Sequence, residues 1–281
     1  MSYVFVYGTL RRSGKNHDLL GDLQCVFRQC CVIGALYDSG KGYPVMKQGR
    51  SHKIYGELYD VSKSQLAAID GLEGFKKNHS DNLFERKILR VYTDTGNDYD
   101  AFAYVAGPSF HPMSERMASG DWLVYRYLKQ KNLLYFAYGS CMDDERFKQA
   151  GVDHYFKDDI GKGVLEGFAF QFSRNTSDGG KADLVENTKE TVEGKVYNIP
   201  WKATHYLYER EGVFASSYRP AIVPVSINGS IHQALTFIGV RKSPETAPTK
   251  RYGTEIMRGG KGYLSDGYLQ KLRKKMQLLN G

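Results

Sequence analysis

Two glycine turns, Tyr7-Gly8-Thr9-Leu10 and Tyr138-Gly139-Ser140-Cys141, combine residue types that can bind an anion. Glycine lets the chain turn sharply out of a buried strand and leaves backbone N–H groups uncovered, so that a ligand oxygen can approach them. Each turn could therefore cradle an anion or stabilise the oxyanion of a reacting carbonyl. A single Tyr-Gly after a strand is most often an ordinary turn. Two copies, 131 positions apart, indicate that the motif begins a repeated fold unit.

A glutamate follows each turn at a similar distance. Glu73 lies 65 residues after Gly8, and Glu211 lies 72 residues after Gly139. Each stands where a predicted helix gives way to a glycine turn, and the apolar residues around Glu73 would let it point inward. A glutamate at a helix end is normally a solvated surface charge. Its recurrence after the same turn in both halves favours a functional role.

Apolar patterns predict the elements that position these residues. In the first half they predict strands at 3–7, 30–37, 51–59, 84–92 and 99–105 and helices at 17–23, 62–72 and 114–129. In the second half they predict strands at 133–138, 163–174 and 192–199 and helices at 143–151 and 201–208. A chain of 281 residues exceeds what one hydrophobic core usually supports. We therefore expect two domains, 1–130 and 131–281.

Composition and charge narrow the class of protein. No apolar run approaches the roughly 18 to 20 residues of a membrane span, and no leader pattern precedes the first strand, so we expect a cytoplasmic protein that does not bind membranes. The net charge of +8 is spread along the chain. The basic run Lys271-Leu272-Arg273-Lys274-Lys275 falls on the polar face of a predicted amphipathic helix. Nucleic-acid binding is therefore not expected.

The four cysteines, Cys25, Cys30, Cys31 and Cys141, show neither CxxC spacing nor partnered histidines. Structural zinc and a disulfide framework are therefore poor interpretations, and reduced, buried thiols are expected. The sequence shows no evident site for a metal or an organic cofactor.

The ordered set of motifs resembles the γ-glutamylcyclotransferase superfamily, present twice in one chain. The first half is similar to the branch acting on γ-glutamylamines in Tyr7-Gly8-Thr9-Leu10-Arg11, Asn16-His17 and Asp70-Gly71-Leu72-Glu73-Gly74. The second half is similar to the branch acting on γ-glutamyl amino acids in Phe136-Ala137-Tyr138-Gly139-Ser140, Gly179-Gly180-Lys181-Ala182, Glu209-Arg210-Glu211-Gly212-Val213, Tyr218 and Tyr252. Together the two resemblances cover nearly the whole chain.

This resemblance implies an α+β fold of two tandem domains, each a small mixed β-barrel with surrounding helices. It also implies a reaction in which the γ-glutamyl α-amine attacks its own γ-carbonyl and releases 5-oxoproline with a free amine or amino acid. Glu73 and Glu211 would be the general acids and bases, with pKa values raised by burial. The turns Tyr7-Gly8-Thr9-Leu10 and Tyr138-Gly139-Ser140-Cys141 would contact the substrate, and their backbone N–H groups would bind the oxyanion. No metal and no organic cofactor are required.

The expected partner is a small γ-glutamyl substrate, which presents an α-carboxylate. Arg11 and His17, after the first turn, are the nearest candidates to orient it. Tyr218 and Tyr252 would offer hydroxyl donors in the second domain. Arginine and histidine after a turn are nevertheless often solvated, and tyrosine is often only packed.

Cys141 departs from the family pattern, in which the second turn continues Tyr-Gly-Ser-Asn. Cysteine caps a helix or bonds a loop poorly, so we expect the first domain to carry the larger share of activity. A nucleophilic Cys141 thiol is an alternative, because a helix start can lower a thiol pKa, although the substrate amine already supplies a nucleophile. A binding module without turnover, and one active domain beside one regulatory domain, also stay open.

Overall fold

The structure is a computed structural model that describes residues 2–108, 110 and 115–281, with the backbone alone at positions 50 and 51. The chain divides into two compact units, Met1–Tyr125 and Arg126–Gly281. Each unit contains one closed barrel of five strands. The predicted α+β fold of two tandem barrel domains is therefore confirmed.

The barrel of the first unit closes in the order β1-β3-β2-β4-β5. Its strands are β1 (Ser2–Val6), β2 (Cys25–Asp38), β3 (Pro44–Val61), β4 (Phe84–Thr93) and β5 (Asp98–Ala106). Neighbouring strands are antiparallel except β1 and β5, which pair in parallel with Val4 opposite Phe102. The helices are α1 (Lys63–Leu72) and α2 (Trp122–Tyr127), with a 3₁₀ turn at His17–Leu20.

Strand β1 is buried on both faces, which explains its uninterrupted apolar sequence. Side chains alternate between the two faces of a strand. Phe5 and Tyr7 pack with Trp122 in one hydrophobic cluster, whereas Val4 and Val6 belong to another. The glycine turn that follows β1 is therefore anchored by two packed clusters.

The barrel of the second unit closes in the order β10-β6-β8-β7-β9. Its strands are β6 (Asn132–Ala137), β7 (Asp159–Thr176), β8 (Gly179–Pro200), β9 (Tyr218–Ile227) and β10 (Ser230–Gly239). Here the parallel pair is β6 and β10, with Tyr135 opposite Leu235. The helices are α3 (Asp144–Gln149), α4 (Ala203–Arg210), α5 (Lys250–Gly260) and α6 (Asp266–Asn280), with 3₁₀ turns at Ser140–Met142 and Asp153–Tyr155.

The helix predicted at 114–129 is wrong over much of its length. Only α2 (Trp122–Tyr127) is α-helical there, and Ser114 lies outside the described residues. Gly120 has a φ of 63°, and a Cβ at this position would lie 2.0 Å from the carbonyl oxygen of Lys53. A left-handed residue cannot continue a right-handed helix, so α2 begins only after Gly120.

The helix predicted at 62–72 is confirmed, and its start has a local cause. Ser62 accepts a hydrogen bond from the Gln65 N–H, and the Gln65 side chain accepts one from the Ser62 N–H, which forms a capping box. The basic C-terminal run also lies on a helix, α6, with Leu272 buried and Lys271 and Arg273 exposed. Among the described residues, no helix is long and apolar enough to cross a membrane.

Candidate active site

Glu73 is fixed by the turn that ends α1. It is the C-cap residue, with φ −80° and ψ −2°, and Gly74 after it has a φ of 65°. The Phe75 N–H bonds the Asp70 carbonyl at 2.9 Å, and the Gly74 N–H bonds the Gly71 carbonyl at 3.3 Å. This pair of bonds is the Schellman motif, which needs a left-handed residue directly after the cap. Closure of the helix therefore sets the position of the Glu73 backbone.

A cavity of about 350 Å³ lies beside Glu73 and the first glycine turn. Its described lining is mostly apolar and consists of Phe5, Val6, Tyr7, Gly8, Thr9, Leu10, Lys15, Asn16, Tyr43, Pro44, Leu72, Glu73, Gly74, Leu83, Phe84 and Tyr104. Glu73 thus shares a cavity with the turn, as the sequence predicts. Lys15 and Glu73 are the only charged side chains in this described lining.

Burial raises the pKa of Glu73 from its usual value of 4.5 to about 7. The cause is loss of hydration, which penalises the charged carboxylate. A carboxyl group with a pKa near 7 exchanges its proton readily at neutral pH. Glu73 is therefore suited to general acid and base chemistry.

The first glycine turn leaves donors available beside Glu73. Its carbonyls are occupied, because Gly8 O accepts from the Arg11 N–H at 3.1 Å and Thr9 O accepts from the Asn16 N–H at 3.0 Å. Within the described part of the chain, no group accepts a hydrogen bond from the N–H of Thr9 or Leu10. Two such N–H groups close to a carboxyl group can stabilise an oxyanion.

Tyr7 and Gly8 each have a structural reason for their type. The Tyr7 hydroxyl donates to the Tyr104 carbonyl at 2.7 Å and accepts from the Met46 N–H at 3.3 Å. Burial raises the pKa of Tyr7, so its hydroxyl stays neutral. A Cβ at Gly8 would lie 2.8 Å from Pro44 Cγ. Glycine is therefore required for the close approach of the turn to Pro44.

Arg11 and His17 do not line the cavity, in contrast to their predicted role. Arg11 is 3% exposed, and its guanidinium forms ion pairs with Asp121 at 2.7 Å and Glu57 at 3.4 Å. The Nδ1 atom of His17 lies 3.0 Å from the Leu10 carbonyl oxygen. In this geometry Arg11 stabilises the fold, and Lys15 is the cation in the described lining of the cavity.

Glu211 repeats the geometry of Glu73 in the second unit. It is the C-cap residue of α4, with φ −82° and ψ 0°, and Gly212 after it has a φ of 59°. The Val213 N–H bonds the Tyr208 carbonyl at 2.9 Å, and the Gly212 N–H bonds the Glu209 carbonyl at 3.0 Å. These two bonds close the same Schellman motif.

The second cavity is larger, with a volume of about 550 Å³, and is rich in polar side chains. Glu211 and the turn Gly139-Ser140-Cys141 line it together, as predicted. Its other described lining residues are Tyr135, Tyr138, Arg146, Arg174, Thr176, Asp178, Lys181, Ala182, Arg210, Gly212, Ser217, Tyr218, Phe237, Thr249, Arg251, Tyr252 and Glu255. No acceptor among the described residues bonds the N–H of Ser140 or Cys141.

Cys141 contacts the candidate base of this cavity. Its thiol lies 3.2 Å from Glu211 Oε1, and Arg210 Nε donates to its sulfur at 3.1 Å. Burial raises the pKa of Cys141, which keeps the thiol protonated and disfavours a nucleophilic thiolate. Burial also raises the pKa of Glu211, while Arg210 and the Cys141 thiol act in the opposite direction.

The predicted tyrosines of the second unit all reach the cavity and hold its walls. Tyr218 donates to the Ala182 carbonyl at 2.7 Å, and the Tyr252 hydroxyl accepts from the Ala182 N–H at 3.2 Å. Tyr138 donates to the Phe237 carbonyl at 2.6 Å, which matches the bond of Tyr7 in the first unit. The Tyr252 hydroxyl also forms a hydrogen bond with the Ser140 side chain, whereas that of Tyr218 is committed to Ala182.

Sequence reasoning missed the cations of both cavities. Lys15 lies in a polar loop, Arg12-Ser13-Gly14-Lys15-Asn16-His17, whose composition suggests only solvent exposure. Arg174 lies at the polar end of a predicted strand, where the local sequence likewise suggests only solvent exposure. Among the described residues, no group of three His, Cys, Asp or Glu side chains is arranged to hold a metal ion.

Comparison with known proteins defines the class. The model of the family "Gamma-glutamyl cyclotransferase, AIG2-like" matches residues 4–124, and that of the "AIG2-like family" matches residues 191–272. The chain belongs to the γ-glutamylcyclotransferase, AIG2-like family, with two such domains in tandem. The resemblance of the motifs to this family is therefore confirmed.

Individual relatives agree with this assignment. YkqA of Bacillus subtilis (strain 168), provisionally named a γ-glutamylcyclotransferase, is 39% identical over 99% of this chain and 98% of its own length. The structural match to the crystal structure of YkqA covers 99% of this chain and 98% of the YkqA chain, with a TM-score of 0.87 at 37% identity. A γ-L-glutamyl-butirosin B γ-glutamyl cyclotransferase of Niallia circulans is 33% identical over 45% of this chain and 78% of its own length.

Proposed function

We propose that the protein releases 5-oxoproline and a free amine or amino acid from small γ-glutamyl compounds, with one active site in each unit. One observation carries the proposal: in both units a glutamate at a Schellman helix end shares a cavity with N–H groups of a Tyr-Gly turn that bond no acceptor among the described residues. Membership in the γ-glutamylcyclotransferase family supports it. The name of the Niallia circulans relative, which specifies a γ-glutamyl compound, supports the substrate class.

The reaction begins with proton removal. The substrate α-amine is an ammonium ion at neutral pH and cannot attack a carbonyl until it loses a proton. Glu73, with a pKa of about 7, accepts that proton when ionised. The amine nitrogen then bonds the γ-carbonyl carbon within the same molecule, so the nucleophile needs no activation by the protein beyond this step.

Collapse of the tetrahedral intermediate completes the reaction. The γ-carbonyl oxygen becomes an oxyanion, for which the N–H groups of Thr9 and Leu10 are available donors. The protonated Glu73 returns its proton to the leaving nitrogen as the amide C–N bond breaks. Bonds and protons balance without water: one amide gives one lactam, 5-oxoproline, and one amine. Glu211 and the turn at Ser140 take the same roles in the second unit.

The α-carboxylate of the substrate needs a cation in each cavity. In the first cavity Lys15 is the only cation in the described lining. In the second cavity Arg174 is half-buried and donates to the Asn175 carbonyl and the Ser217 hydroxyl, each at 3.0 Å. Both cations can therefore bind a carboxylate without first breaking an ion pair within the described part of the chain.

The test is 5-oxoproline production from a panel of γ-glutamyl amines, γ-glutamyl amino acids and glutathione. Glu73→Gln and Glu211→Gln should each lower turnover at their own site by about 10² to 10⁴-fold, because glutamine keeps the shape and loses the proton acceptor. The double variant should be nearly inactive while folded. Full production by that variant would end this mechanism, and no production by the wild-type protein would favour a binding module.

A further inference from the structure

The two cavities differ sharply in charge. Five cationic side chains line the second cavity, namely Arg146, Arg174, Lys181, Arg210 and Arg251, against three carboxylates, Asp178, Glu211 and Glu255. The described lining of the first cavity has one cation, Lys15, and one carboxylate, Glu73. One of the carboxylates in each cavity is the candidate base itself. A single α-carboxylate does not account for the remaining positive charge of the second cavity.

Several of these cations are only partly neutralised. Among the described residues, no carboxylate lies within 4.0 Å of the Arg174 guanidinium. Arg146 and Arg251 share one carboxylate, Glu255, and the Arg251 side chain is 84% exposed. Lys181 pairs with Asp178, whose side chain is 64% exposed and therefore weakly bound. An incoming anion can compete for these cations.

The positive charge continues beyond the cavity. A neighbouring recess shares Arg146, Arg251 and Glu255 with it, so the two are contiguous. The recess adds Lys250 and Arg258. Arg258 pairs with Asp143, whereas no carboxylate among the described residues pairs with Lys250. A basic track therefore runs outward from Glu211.

We propose that the second site selects γ-glutamyl peptides whose leaving amine carries two or more carboxylates, while the first site has no such preference. This inference rests on the proposed function. The γ-glutamyl group would occupy the end of the cavity at Glu211, with its α-carboxylate at Arg174, and the acidic leaving part would extend along Arg146, Arg251 and Lys250. The bond changes are those of the proposed reaction, with 5-oxoproline and an acidic amine as products.

The experiment compares γ-glutamylglutamate with γ-glutamylglutamine, which has the same size and one carboxylate fewer. It uses the full chain with Glu73→Gln, so that the second site dominates turnover. At low salt we expect kcat/KM to be about tenfold higher for γ-glutamylglutamate, which is roughly the effect of one charge-assisted hydrogen bond. The ratio of the two kcat/KM values should fall in about 0.5 M salt, because salt screens the charges. Equal kcat/KM values for the two peptides would overturn the inference and leave the proposed function standing.

Charge variants localise the effect. Lys250→Gln and Arg251→Gln should each lower the glutamate-to-glutamine ratio by at least about threefold. Arg273→Gln on α6, which removes one exposed cation outside both cavities, is the matched control and should leave the ratio unchanged. A ratio that falls equally in all three variants would show that only the overall charge matters, which contradicts the proposed track.

A binding measurement separates this inference from catalysis. In the Glu73→Gln, Glu211→Gln chain, calorimetry should show γ-glutamylglutamate binding about tenfold more tightly than γ-glutamylglutamine. Absence of 5-oxoproline when the wild-type chain meets every compound, with this preference retained, would reject the proposed function alone. Equal affinities would reject the charge selection, whatever the catalytic result.

Discussion

The Cys141 thiol lies 3.2 Å from the Glu211 carboxylate, at the position where the family pattern has asparagine. Asparagine and cysteine share one useful property here, since each can donate a hydrogen bond to a carboxylate. The thiol donation favours the ionised form of Glu211 and so opposes the rise in pKa that burial causes. Cys141 therefore does not by itself make the second site incompetent.

We predict that Cys141→Ala shifts the pH dependence of the second site upward. Loss of the thiol donor removes an interaction that lowers the Glu211 pKa, so the base is ionised only at higher pH. In the Glu73→Gln background, the acid limb of kcat/KM against pH should move to higher pH. Cys141→Ser, which restores a donor, should return the limb toward its original position. Unchanged profiles in both variants would show that the contact has no effect on Glu211.

The helix-end glycines provide a second prediction. Gly74 has a φ of 65°, and a Cβ built there would meet no other atom within 4 Å. Gly74→Ala should therefore destabilise the first unit by about 1 to 2 kcal/mol through backbone strain alone. It should also lower turnover at the first site, because the strained helix end displaces Glu73. Gly71→Ala, three residues earlier inside α1 and equally open, is the matched control. It should be neutral or stabilising, by up to about 1 kcal/mol. Thermal unfolding and 5-oxoproline assays check both, and equal losses would argue against the Schellman closure.

Variants at Arg11 and Lys15 should have different effects: loss of Arg11 should lower stability, and loss of Lys15 should weaken substrate binding. Arg11→Ala leaves Asp121 and Glu57 buried without their cation, which should cost about 3 to 5 kcal/mol of stability. Lys15→Gln should leave the melting temperature unchanged and raise KM for γ-glutamyl substrates several-fold. Urea unfolding and steady-state kinetics measure the two effects. An unchanged KM in Lys15→Gln would remove Lys15 from the substrate site.

The contrast between these residues shows what the sequence could predict. The Glu73 helix end depends on neighbours in sequence, an apolar helix face followed by Gly74, so a local pattern predicts it. The Arg11–Asp121 ion pair joins residues 110 positions apart and forms only when the barrel closes. The fold of the second unit likewise gathers Arg146 of α3, Arg174 of β7 and Arg251 of α5 into one cavity, although along the chain their charges look evenly spread.

The sequence patterns also miss strands β9 and β10, and for β9 the cause is again a tertiary contact. Strand β9 (Tyr218–Ile227) contains Pro220 and Pro224, which normally argue against a strand because proline donates no hydrogen bond. The two prolines are four residues apart, so their missing N–H groups fall on the same side of the strand. Strand β9 still pairs with β10 along its full length. Tertiary pairing here overrides a local signal.

Burial of Glu73 couples the stability of the first unit to pH. Its pKa is about 7 in the folded protein and near 4.5 when exposed, so between these values the folded state binds more protons than the unfolded state. Stability of the first unit should therefore fall as pH rises from about 4.5 to 7, by an amount on the order of 1 to 3 kcal/mol. Glu73→Gln has no proton to lose and should be more stable than the wild type at about pH 8, with little difference at about pH 4.5.

The pH-dependent stability of the first unit can be measured separately, because each unit contains one of the two tryptophans. Trp122 is 3% exposed in the first unit, and Trp201 is 46% exposed in the second, so a Trp201→Phe background leaves Trp122 as the fluorescent reporter. Urea unfolding at a series of pH values then gives the stability difference between this background with Glu73 intact and the same background with Glu73→Gln. Glu115→Gln, an exposed position outside the cavity, is the matched control. If the stability gained by Glu73→Gln does not grow with pH, ionisation of Glu73 does not destabilise the folded protein. The pKa of Glu73 would then not be raised, and Glu73 would not be a base tuned to neutral pH.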